Sequence, residues 1–129
     1  MTGFEYDHIH LKSPDPETTA KYYERMFGAE ILRLTYSDGE PRIGITLGGI
    51  LLYISNTRGK PAALSPSERP FMGMEHIGFV VDDVDAMADA LRHKGAVITQ
   101  EPHSPKPGVR NVYILGPENV HIELINRDS

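Results

Sequence analysis

Two histidines and a glutamate hold the chemistry this sequence is best equipped to perform. His8 stands in Asp-His-Ile-His-Leu-Lys-Ser-Pro-Asp (residues 7–15) and His76 in Glu-His-Ile-Gly-Phe-Val-Val-Asp-Asp (75–83), so an acid, a His-Ile pair and a final Asp recur at an offset of 68. Glu123 lies toward the far end of the second copy, in Val-His-Ile-Glu-Leu-Ile. Two imidazoles and a carboxylate suit one divalent first-row ion (zinc, nickel, cobalt, manganese or iron) and leave coordination positions open, as catalysis requires. A lone histidine on a strand is more often a surface or satisfied core residue. Here the histidines repeat in register, the carboxylate sits on the terminal strand of the second repeat, and the alternation around each is correct. His8, His76 and Glu123 are therefore the expected metal ligands.

The elements that must position them follow from the same repeat. Ile9 and Leu11 alternate with His8, His10 and Lys12, and Ile77, Phe79 and Val81 with His76, Gly78 and Val80, the period of a half-buried strand. Asp15-Pro16 supplies a helix N-cap and an N1 proline, Ala20, Tyr23 and Phe27 share a face, and Gly28 ends the helix. Asp83 caps a second helix with Val84, Met87, Ala88 and Leu91 at i, i+3, i+4 and i+7, and Gly95 stops it. Three strand-like stretches close each half: Glu30–Tyr36, Arg42–Leu47 and Ile50–Ser55, then Ala96–Gln100, Arg110–Leu115 and His121–Asn126. The expected fold is α+β, a single domain over 1–129 with two tandem βαβββ modules (4–56 and 71–127), a surface linker (57–70) and one curved mixed sheet. Glu101–Gly108, with Pro102, Pro105 and Pro107, is too rich in proline for a central strand and reads as a loop near the cavity mouth.

Other side chains are candidates around the metal. Tyr113 and Glu123 are equidistant from the turn at Gly116-Pro117-Glu118-Asn119, so in a simple hairpin they oppose each other, and the phenol either reaches the substrate or forms the cavity wall. His10, two residues beyond His8 on the same face, is a candidate general base. His121 is placed similarly beside Glu123, as a substrate contact or an exposed strand end. Arg42 and Arg110, also 68 apart, could fork onto a substrate anion. Alternation puts Arg110 opposite Tyr113 unless a bulge intervenes, and outer-face ion pairing is the ordinary alternative for both arginines. His93 and His103 read as surface residues, with His103 able to line the cavity mouth.

Composition narrows the field. A net charge of −5 without a run of Lys or Arg gives no footprint for nucleic acid or an anionic membrane. The absence of cysteine excludes disulfides, thiolate sites and a cysteine nucleophile. No stretch has the pattern of a leader peptide or approaches the ~18 apolar residues of a membrane span, so a cytoplasmic protein is expected.

Asp-His-Ile-His, the Tyr22-Tyr23…Phe27-Gly28 helix and Arg-Asn-Val-Tyr-Ile-Leu-Gly-Pro-Glu-Asn-Val-His-Ile-Glu-Leu together resemble the vicinal-oxygen-chelate superfamily, which includes glyoxalase I, bleomycin-resistance proteins and extradiol dioxygenases. The resemblance covers nearly the whole chain. It implies paired βαβββ modules, frequent homodimers and a metal that chelates two adjacent oxygens of a small-molecule substrate, with ligands that map onto His8, His76 and Glu123. Glyoxalase I and the related epimerase carry a fourth ligand, Glu or Gln, where this sequence has Tyr53, which becomes a substrate-contact candidate. The leading functional expectation is a metal-dependent lyase or isomerase: the ion polarises a carbonyl, a side chain moves a proton on the adjacent carbon, and an enediolate is stabilised. The alternatives are an extradiol-type dioxygenase, a thiol transferase of the fosfomycin-resistance kind and a non-catalytic drug-binding protein of the bleomycin-resistance kind.

Overall fold

The computed structural model describes residue 3 and residues 6–35, 41–57 and 74–128. The chain divides into two compact units, residues 1–62 and 63–129. In the first unit, β1 (Ile9–Ser13), α1 (Pro16–Phe27), β2 (Glu30–Thr35), β3 (Pro41–Leu47) and β4 (Ile50–Asn56) form a mixed sheet of order β1-β4-β3-β2 with one helix against it. In the second, β5 (Ile77–Val80), α2 (Val84–His93), β6 (Val97–Lys106), β7 (Val109–Leu115) and β8 (His121–Arg127) repeat the plan in the order β5-β8-β7-β6. Both βαβββ modules are present, each hydrogen-bonded as its own four-stranded sheet. Tyr36 and the expected linker beyond Thr57 lie outside the described residues, as does Phe4, where the first module was expected to start. Among the described residues no helix is long and apolar enough to cross a membrane.

Helix placement follows from the capping residues. The Asp15 carboxylate accepts from the Thr18 amide (3.2 Å) and hydroxyl (2.7 Å), Pro16 opens α1, and Gly28 closes it in the left-handed region at φ 73°. Asp83 caps α2 through the Ala86 amide at 3.0 Å. Buried Ser13 joins β1 to α1 by a 2.8 Å hydroxyl contact with Thr19. The α1 face that enters the core is Thr19, Ala20, Tyr23 and Met26, so Met26 takes the place expected of Phe27. Val84, Ala88 and Leu91 are the buried face of α2, and Met87 lies at its edge with 38% exposure.

Each sheet therefore has one face under its helix and turns the other face away from it. Leu52, Ile54 and Ile45 fill the covered face of the first, and Val112, Ile114, Ile122 and Leu124 that of the second. The residues between them on β4 and β8, Tyr53 and Glu123, point the other way.

The segment from Glu101 to Lys106 corrects the loop expected there. It continues β6, which among the described residues is hydrogen-bonded only to β7 and pairs irregularly: Ile98 with Ile114, Gln100 with Tyr113, His103 with Asn111 and Lys106 with Val109. Prolines are tolerated because β6 is an edge strand, where one side needs no ladder bonds. Each of the three register shifts gives β6 one residue more than β7, which is how a strand bulges. Pro107 and Gly108, the latter at φ 81°, then turn the chain into β7.

Ile122→Ala is expected to cost about 2–5 kcal/mol in denaturant unfolding, because this fully buried side chain has no room to be replaced by solvent. Val80→Ala, at a site 73% exposed, is expected to shift the midpoint little.

Candidate metal centre

Both repeat histidines sit immediately before the first strand of their unit, and in both the preceding acid holds the ring. Asp7 Oδ2 lies 2.6 Å from His8 Nδ1, and Glu75 Oε1 lies 3.2 Å from His76 Nδ1. A carboxylate on Nδ1 favours the proton on that nitrogen and leaves Nε2 available as a lone-pair donor, the usual support for a metal-bound histidine. The acid that recurs with each histidine thus has an orienting role that its sequence position alone did not suggest.

In the second unit the arrangement is developed further. His76 Nε2 lies 3.0 Å from Glu123 Oε1, with the side chains 27% and 12% exposed. This is the distance of a direct hydrogen-bonded pair, and it also suits a shared ion, since two ligand atoms each about 2.1 Å from one ion and about 90° apart would be separated by roughly 3.0 Å. The second carboxylate oxygen, Glu123 Oε2, accepts from Asn111 Nδ2 at 2.8 Å. Gly78, the register partner of Glu123, leaves that side of the carboxylate open, since even a Cβ there would stand 3.5 Å from Oε1. Tyr113 is the register partner of Glu123 across β7 and β8, and its ring meets His76 edge-on at 5.3 Å between centroids.

The first unit carries the same frame with different groups. Tyr53 occupies the place on β4 that Glu123 has on β8, and its ring packs edge-on against His8 at 4.8 Å. His10, opposite Tyr53 where the second unit has Gly78, shares a 2.7 Å contact between Nε2 and Ser55 Oγ. Its pKa is lowered by partial burial and then by the charges of Lys12, His8 and Arg42, which keeps the ring neutral at neutral pH. His10, Lys12, Arg42 and Ser55 border a cleft of about 960 Å³ at one end of this sheet.

The structure thus brings His76, Glu123 and Tyr113 together in one unit, and His8, His10 and Tyr53 in the other. Among the described residues no three His, Asp or Glu side chains gather closely enough to hold an ion by themselves. His121 is buried, with 3% exposure, on the same face of β8 as Glu123. Arg110 lies on the α2 side, where its guanidinium forks onto Asp85 at 2.9 and 2.8 Å. No bulge interrupts β7, so alternation keeps it away from Tyr113. Sequence reasoning passed over Asp7, Glu75 and Asn111 in these roles. Only the acid-His pairs left a signal, by recurring.

The Arg110 guanidinium holds the Asp85 carboxyl below its ordinary value. A carboxyl with a depressed folded pKa stabilises above its unfolded pKa and loses that contribution as pH falls through the folded value. Arg110→Met should therefore lower thermal stability modestly at neutral pH, and the deficit should shrink in melts below the carboxyl range and in high salt.

Comparison with known proteins agrees with this frame. The model of the Glyoxalase/Bleomycin resistance protein/Dioxygenase superfamily matches residues 5–124. The ethylmalonyl-CoA/methylmalonyl-CoA epimerase of Cereibacter sphaeroides is 30% identical over 118 residues, covering 84% of each chain. A glyoxalase I variant from Zea mays superposes with a TM-score of 0.74 at 24% identity, over 95% of this chain and 45% of that one. A glyoxylase/bleomycin resistance protein/dioxygenase domain from Frankia sp. EAN1pec does so with 0.73 at 20% identity, over 96% and 98%. The doubled βαβββ frame and the match along nearly its whole length make this chain a member of the glyoxalase/bleomycin resistance/dioxygenase superfamily.

Proposed function

We propose that the protein is a divalent-metal-dependent isomerase or lyase that moves a proton on the carbon beside a carbonyl of a small oxygenated substrate. The observation that carries this reading is the His76–Glu123 pair: an imidazole Nε2 and a carboxylate oxygen 3.0 Å apart, each fixed from behind by Glu75 and Asn111. His76 and Glu123 would hold the ion, and His8, whose Nδ1 is held by Asp7, is the third ligand that the repeat leads one to expect. The ion, when bound, supplies Lewis acidity that makes the carbon beside a coordinated carbonyl more acidic.

The remaining work falls to the protein's own groups. His10 is the proton carrier in this reading, because a ring kept neutral can accept a proton at Nε2, and the Ser55 hydroxyl steadies it there. Tyr113, held over His76 and opposite Glu123, orients the substrate, and Tyr53 does so beside His8. His121 lines the same face of β8. The epimerase relative favours the isomerase arm, since epimerisation is removal and return of one proton at a carbon.

Elemental analysis of the full chain tests the site first. About one first-row divalent metal per chain is expected, removed by chelator and absent from His76→Ala. Exchange of the C2 proton of methylmalonyl-CoA in D2O is then expected from the metal-loaded protein and is expected to fall at least 100-fold in His10→Ala. Oxygen uptake with a catechol in place of that exchange would select a dioxygenase, and absence of metal from the wild type would leave a ligand-binding protein.

A further inference from the structure

Toward the edge of the second sheet, two buried polar atoms have no partner among the described residues. Asn111, 5% exposed, donates Nδ2 to Glu123, but its Oδ1 is buried and accepts no hydrogen bond among the described residues. His103 is the register partner of Asn111 across β6 and β7, and its Nδ1 is also buried and unpartnered. The other ring nitrogen of His103, Nε2, lies 3.1 Å from Gln100 Nε2. An amide nitrogen can only donate, so His103 Nε2 accepts, and in the neutral ring the proton then resides on Nδ1. The two orphaned atoms are therefore complementary, a ring N–H donor and an amide C=O acceptor. They stand on paired residues, yet they do not bond each other.

Buried polar groups in native proteins are almost always satisfied, and leaving one dry costs as much as losing a good hydrogen bond. The bulges of β6 are what create the situation. Gln100 and His103 are three residues apart and would face opposite sides of a regular strand; the register shift between them turns both to the face that carries Tyr113 and Asn111. Asn111 is at the same time the residue that fixes the Glu123 carboxylate.

The structure assigns to Asn111 Oδ1 and His103 Nδ1 a ligand subsite beside Glu123, which takes a group that can both donate and accept, an amide or a hydroxyl. The ligand's N–H or O–H donates to Asn111 Oδ1, and the oxygen of the same group accepts from His103 Nδ1. Asn111 then touches ligand with one end of its amide and Glu123 with the other. The inference rests on the reading of His76 and Glu123 as metal ligands, because the ion is what anchors the ligand next to this pair.

The test uses the full chain loaded with cobalt(II) and two chelating probes, acetohydroxamate and N-methylacetohydroxamate. Both offer two adjacent oxygens to the ion, and only the first retains an N–H. Titrations followed by the cobalt absorption bands are expected to show acetohydroxamate binding at least five-fold more tightly to the wild type. Asn111→Leu is expected to bring that ratio to about one, and His103→Phe to weaken both probes while keeping the preference. The ratio within one variant cancels any general loss of cobalt affinity, and the wild-type preference stands even if Asn111→Leu does not fold. Cobalt binding with equal affinity for the two probes overturns the subsite alone, as does a preference that survives Asn111→Leu; the orphaned atoms then bind only water. No cobalt binding by the wild type overturns the metal reading and the subsite together.

Discussion

Each sheet in this protein buries one face under a single helix, and that burial decides where every polar group goes. Because strand side chains alternate, fixing Val112, Ile114, Ile122 and Leu124 against α2 forces Asn111, Tyr113, His121 and Glu123 onto the opposite face. A slip of one residue would exchange the two sets, placing a carboxylate and a histidine in the apolar core. Burying an unpaired carboxylate there would cost several kcal/mol, more than an ordinary hydrogen bond contributes. The site is thus held less by its own hydrogen bonds than by the apolar residues between its members. The same argument holds for Leu52 and Ile54 beside Tyr53 on β4.

The two units apply one frame to different chemistry. In both, an acid grips the histidine that precedes the first strand, and the last strand places one large residue beside that ring. The second unit puts a carboxylate there and backs it with an asparagine, with glycine opposite. The first unit puts a phenol there, with His10 opposite. On the last strand the carboxylate consequently belongs to the second unit, and the first has a second histidine whose burial, and then the charges of its neighbours, favour its neutral form.

Where alternation is strict, the sequence could be read directly. The repeat at an offset of 68, both caps, and the opposition of Tyr113 and Glu123 depend on local rules, and the structure has them. Features that depend on rotamers or on broken periodicity could not be read. The grip of Asp7 and Glu75 on the rings requires side-chain directions. Asn111 has no motif, since its importance arises only when β7 and β8 pair. His103 was hidden twice, by prolines that suggested a loop and by bulges that conceal which side of a strand a residue faces.

Those bulges have a further effect. A regular edge strand offers an unbroken row of amides and carbonyls on which a strand from another molecule can align. Along β6, Pro102 and Pro105 remove two of the amides, and the three register shifts displace the groups that remain from an even spacing. The surplus residues that turn His103 toward the face that carries Glu123 therefore also make this border a poor template for an added strand.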